Sequence, residues 1–121
     1  MQTETYDPDA IVSISSNQFT PISGDYLLIA WAVAGAATGI NHRIRLYNVT
    51  SAASIEEGIN SQSAAGVRAT ANLICKFTAN GTDAYRIDHY TSTGLATTGL
   101  GIAVSDGSPE VYMEIRLIKV A

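Results

Sequence analysis

The side chains here that can do acid/base, nucleophilic or metal chemistry are two histidines, one cysteine and a scatter of carboxylates. A Ser/His/Asp relay needs a nucleophile, a base and an orienting carboxylate held together. No Gly-x-Ser-x-Gly turn is present to expose a serine. His89 shares a strand face with Tyr85 and Ile87, which suits a hydrogen-bonded core or subunit-interface residue better than a base. His42 follows a turn and is expected in solvent. Cys75 is the only cysteine, so it forms no internal disulfide and builds no cysteine-based metal site. It is expected on an inward strand face as a small buried hydrophobe. Glu56 and Glu57 are adjacent, so a strand sends them to opposite faces and they form no acid/base pair. No acidic cluster has calcium-loop spacing. Gly99-x-Gly101 lacks the third glycine and the helix of a dinucleotide site. The expectation is therefore no enzyme, no metal and no cofactor.

The elements that position these residues read as strands. Ala10 to Ser15 alternates loosely, and Ser23-Gly24 turns the chain into Asp25 to Ala34. After Asp25 that run is apolar on both faces, as in a strand covered on both sides. Gly35 to Gly39 breaks it. His42 to Val49 alternates, with Ile44 and Leu46 opposite Arg43, Arg45 and Tyr47. Ser54 to Ile59 is a short strand or turn. Val67 to Thr78 keeps period two over its length, with Val67, Ala69, Ala71, Leu73, Cys75 and Phe77 on one side and Ile74 the exception on the other. A helix would scatter those residues. Asn80-Gly81 is a hairpin signal before Asp83 to Tyr90. Gly99 to Val104 and Glu110 to Val120 complete about eight strands, with no convincing helix. The fold class is all-β: a β-sandwich or jelly roll of antiparallel sheets.

At 121 residues and 12.8 kDa, the chain is one domain. It is expected to divide into an exposed N-terminal arm, 1–9, and a single domain, 10–121. It is 46% hydrophobic but only 15% charged, well below the ~25% of ordinary domains. That composition excludes disorder. The longest apolar stretch, Tyr26 to Ala37, is too short for a helix to cross a bilayer. A net charge of -4 and a pI near 4.9 argue against nucleic-acid binding. The acidic start, MQTETYDPD, has no signal-peptide core. Without disulfides, a small domain of low charge is expected to assemble in a reducing cytoplasm or to gain stability by oligomerising. The sequons at Asn48 and Asn80 then read as chance in a Thr-rich chain.

Several segments in order resemble one family. They are Phe19-Thr20-Pro21-Ile22-Ser23-Gly24-Asp25-Tyr26, Arg45-Leu46-Tyr47-Asn48-Val49-Thr50, Lys76-Phe77-Thr78, Tyr85-Arg86-Ile87-Asp88-His89, and Gly99-Leu100-Gly101-Ile102-Ala103 followed by Glu110-Val111-Tyr112. Together, from Phe19 to Lys119, they resemble the trimeric jelly rolls of tumour necrosis factor and the complement globular head, in their phage and bacterial branch. The resemblance implies a homotrimeric jelly roll on a virion, at a tail-fibre tip or on the capsid as a decoration (cement) protein. With no stalk ahead of the domain, the decoration role is expected. The partners are then sister subunits and the major capsid protein, and the place of action is the capsid surface after assembly in the host cytoplasm. The alternative is a tail-fibre tip or lectin-like module that binds a host-surface glycan through loops Ile59 to Gly66 and Thr91 to Thr98.

Three candidate surfaces follow. Tyr26, Trp31, His89, Gly99, Gly101 and Tyr112 are the candidate trimer interface, the glycines allowing close backbone approach at a threefold axis. Glu4, Tyr6, Asp7 and Asp9 of the arm are candidate capsid contacts. Arg43, Arg45 and Tyr47 are a candidate contact patch for an acidic partner, or for a sugar stacked on Tyr47.

Overall fold

Period-two patterning becomes nine strands in the computed structural model, which describes residues 6–35, 39–93, 105–108 and 110–121. The strands are β1 (Val12–Ser15), β2 (Gln18–Pro21), β3 (Gly24–Ala34), β4 (Ile40–Asn48), β5 (Ala53–Glu57), β6 (Ser61–Ser63), β7 (Ala69–Ala79), β8 (Tyr85–Thr91) and β9 (Met113–Lys119). They form two antiparallel sheets. The larger has the order β1-β2-β8-β4-β5, with β6 also on β4; the smaller is β7-β3-β9. The expected strand from Gly99 to Val104 lies outside the described residues.

The core lies between the sheets because alternate residues of each strand face inward. From the smaller sheet come Tyr26, Leu28, Ala30 and Ala32 of β3 and Ala71, Leu73, Cys75 and Phe77 of β7. Met113, Ile115 and Leu117 of β9 pack against them. Ile44 and Leu46 of β4 and Tyr85 of β8 face them from the larger sheet. One end is aromatic: Phe77 has its ring centroid 5.7 Å from Tyr26 and 5.0 Å from Tyr85, and Phe19 lies 5.9 Å from Tyr85. Offset and tilted ring contacts of this kind add to plain area burial.

Two details differ from the sequence reading. Asn80-Gly81 does make a turn. Asn80 Oδ1 accepts from the amides of Thr82 and Asp83, and Gly81 takes a φ of 88°. The strands it joins, β7 and β8, are nevertheless in different sheets. Five residues between them let the chain cross the sandwich instead of folding back into a two-residue hairpin. Ser61–Ser63, expected within a loop, forms β6 and pairs with Ile40, Asn41 and His42. At Gly58, between β5 and β6, an added Cβ would stand 2.6 Å from the Asn72 carbonyl oxygen and 2.7 Å from that of Ile44. Only glycine lets the backbone pass there.

Candidate functional site

The outer face of the larger sheet gathers the charged side chains that alternation turns away from the core. On β4 these are Arg43 and Arg45, with Tyr47 on the same face; on β8 they are Arg86 and Asp88, with Tyr90; on β5, Glu57. Register sets the pairs: Arg43 is opposite Tyr90, Arg45 opposite Asp88, and Tyr47 opposite Arg86. Asp88 Oδ2 accepts from Arg45 Nε at 3.0 Å and Arg45 Nη2 at 2.9 Å, and Asp88 Oδ1 accepts from Arg86. Burial pushes the Asp88 carboxyl up, but the hydrogen bonds and charges of the two guanidiniums outweigh it and hold it below the usual carboxylate value. The guanidinium carbons of Arg45 and Arg86 lie 4.6 Å and 4.9 Å from the Tyr47 ring centre. Tyr47, a candidate platform for a sugar, is thus already engaged by two cations. Arg43 Nε and Glu57 Oε2 form a looser ion pair at 3.4 Å.

Beneath this face lies a pair the sequence reading did not bring together. His42 Nδ1 and His89 Nε2 are 3.0 Å apart, and His42 is 2% exposed. The expectation of a solvated His42 is corrected: it shares the inward parity of Ile44 and leans diagonally onto β8. One ring donates and the other accepts, so at least one facing nitrogen must be unprotonated. His42 Nε2 and His89 Nδ1 are buried without a hydrogen-bond partner among the described residues. Burial lowers the pKa of both rings, and for His89 the charge of His42 adds to it. No Ser, Asp or Glu completes a relay with either ring in the contacts of the described residues. Among those residues, no three His, Cys, Asp or Glu side chains converge as metal ligands.

The outer face of the smaller sheet is different. Leu27, Ile29, Trp31 and Val33 of central β3 run down its middle, half-buried. Each is flanked in register: Leu27 by Lys76 and Ile118, Ile29 by Ile74 and Arg116, Trp31 by Asn72 and Glu114. Ile74 is 68% and Ile118 47% exposed. Arg116 lies over the Trp31 ring at 5.5 Å and pairs with Glu114 at 2.8 Å. Tyr112 continues the register, its carbonyl accepting from the Val33 amide at 3.1 Å.

Of the candidate trimer-interface residues, Trp31 and Tyr112 belong to this face. Tyr26 does not. It is wholly enclosed by its own chain, stacked on Phe77, with its hydroxyl donating to the Ile22 carbonyl at 2.8 Å. It therefore has no surface to offer a neighbour, because its β3 position has inward parity. His89 is likewise turned inward, to His42. Gly99 and Gly101 lie outside the described residues. In the arm, Tyr6 and Asp9 are exposed, and Glu4 lies outside the described residues. Asp7 is committed to its own domain: its carboxylate accepts from the amides of Ile11 at 2.9 Å and Val12 at 3.0 Å. Of the two expected recognition loops, Ile59 to Gly66 contains β6, and Thr91 to Thr98 is described only to Thr93. Asn48, one sequon residue, is buried and donates to Asp83 at 2.8 Å.

No protein-family model and no curated protein matches this chain.

Proposed function

We propose that the chain is a homotrimeric jelly-roll virion protein that decorates and cements a phage capsid, acting by binding and not by chemistry. The observation that carries the self-association is the outer face of β7-β3-β9. Its central strand presents Leu27, Ile29, Trp31 and Val33 beside exposed Ile74 and Ile118. Contiguous apolar surface of this kind marks association sites. The strand order supports the jelly-roll reading, since β2 to β3, β3 to β4, β6 to β7 and β7 to β8 each cross between sheets. The virion role rests on the resemblance of the sequence segments. Exposed Tyr6 and Asp9 are the arm residues that would meet the major capsid protein.

Light scattering on the eluting protein tests the first step, with about three times the chain mass expected. Trp31→Glu with Ile74→Glu should give monomers that still show a β-sheet spectrum. A wild-type monomer at micromolar concentration overturns the trimer. Adding the trimer to capsids lacking it tests the second step. Many bound copies and a higher shell melting temperature are expected. No binding to shells overturns decoration.

A further inference from the structure

The outer face of the larger sheet holds a depression of about 290 Å³ lined by Arg43, Ile44, Arg45, Glu57, Asp88, His89 and Tyr90. We infer that this depression binds one neutral sugar ring. The inference stands apart from the virion reading and uses the opposite sheet from the association face.

Pleating builds the site. Ile44 and His89 are cross-strand partners whose side chains turn inward, so their paired backbones form the floor. The neighbouring outward positions, Arg43 with Tyr90 and Arg45 with Asp88, rise as walls, and Glu57 of the edge strand closes one side. The volume is at the lower end for small-ligand sites, ~300 Å³ and up. It suits one ring, not an extended ligand.

The chemistry of the walls selects the ligand. The two carboxylates in the depression, Glu57 and Asp88, are already matched by Arg43 and Arg45. An incoming anion would enter beside those carboxylates, and an incoming cation beside the guanidiniums. A hydroxyl avoids both costs, because it donates to carboxylate oxygen and accepts from guanidinium N–H together. The 3.4 Å spacing of Arg43 and Glu57 is too long for a good hydrogen bond and leaves both groups able to take one. Adjacent ring hydroxyls present that donor and acceptor pattern side by side. Tyr90 supplies the apolar surface: it is 62% exposed at the rim, and among the described residues no ring or cation lies over it, unlike Tyr47. The C–H face of a pyranose packs on such a ring.

Protein-observed NMR with neutral methyl pyranosides of the gluco, galacto, manno and N-acetylglucosamine series, at millimolar concentration, tests this. At least one should saturably shift the amides of Ile44, His89 and Tyr90. Tyr90→Ala should weaken it by about tenfold, and Glu57→Gln should weaken it without touching the exposed ring. Val67→Ser, at an exposed position outside the depression, should leave it unchanged. No saturable shift with any of the four overturns the inference. So does binding that survives both Tyr90→Ala and Glu57→Gln, or preference for a methyl uronide over its neutral counterpart.

Discussion

Acid should loosen this domain before its carboxylates titrate, and the His42–His89 pair should be the reason. The two rings face each other at 3.0 Å, with their remaining nitrogens buried and, among the described residues, unpartnered. A first added proton must sit on a buried nitrogen without an acceptor. A second would set two N–H groups against each other. Both rings therefore have pKa values below 6.5, from burial and, at His89, from the charge of His42. The unfolded chain binds these protons more readily than the folded one, so stability rises with pH. The contribution is complete above pH 6.5, the ordinary value, and is lost as pH falls below it toward the lowered folded values. Each histidine contributes at most about 1.4 kcal/mol per pH unit in that window, which sets a ceiling of about 2.7 per pH unit for the pair. Even part of that slope, over one pH unit, is a sizeable share of the ~5–15 kcal/mol that holds a domain folded. The facing strands bring no carboxylate to the inner side: Arg43 and Arg45 of β4 and Arg86 and Asp88 of β8 point outward, β6 carries only Ser61, Gln62 and Ser63, and the inner residues of β3 and β7 at this end are alanines. Urea unfolding between pH 7.5 and 5 reads the slope. His42→Phe with His89→Leu should flatten it, whatever it does to absolute stability. A wild-type slope near zero, or a full slope in the double variant, refutes the reasoning.

Other positions make independent predictions. Burial, with Glu56 adding to it, pushes the Cys75 thiol up to about 11. It should therefore resist alkylation at pH 8 in the folded protein and react at once in denaturant, as a thiol-labelling time course would show. Gly58→Ala sets a methyl group against two backbone carbonyls that cannot retreat. A loss of about 1–3 kcal/mol in urea unfolding is expected, and an unchanged midpoint would mean that the β5–β6 crossing is looser than described.

Most of the layer assignment was legible because strands of this chain alternate cleanly. β7 is the clearest case: parity alone put Ala71, Leu73, Cys75 and Phe77 inward and isolated Ile74 as an outward apolar residue. β4 was legible too, with Arg43, Arg45 and Tyr47 on one face. His42 was misjudged although its parity with Ile44 was available, because the preceding small-residue break suggested exposure. The signal that β6 covers that end was missing: Ser-Gln-Ser has neither strand propensity nor apolar pattern and is ordered by pairing with β4. Tyr26 shows a different limit. An aromatic in an all-apolar run has no parity contrast, so the sequence could not say which face was core. The charged depression was out of reach for a third reason: its walls come from β4, β5 and β8, and only register brings Arg45 to Asp88.

The low charge of the chain takes on a meaning once the two outer faces are compared. Three of its arginines, Arg43, Arg45 and Arg86, stand on the outer face of the larger sheet, each paired with a carboxylate. The centre of the smaller sheet carries none: β3 reads Tyr26 to Ala34 without a charged residue. A sandwich needs only one apolar face per sheet, and β3 has two. The inner one is occupied by the core, so the outer one has no structural need to be apolar within a single chain. Solvation alone would favour Lys, Thr or Glu at positions 27 and 33, as β7 has Lys76 and Thr70 opposite them. Apolar residues at those positions cost a monomer solubility and benefit it only when something covers them. On the two proposals made above, the asymmetry divides the work, with association on the smaller sheet and polar recognition on the larger. Substitutions that break the one should leave the other intact.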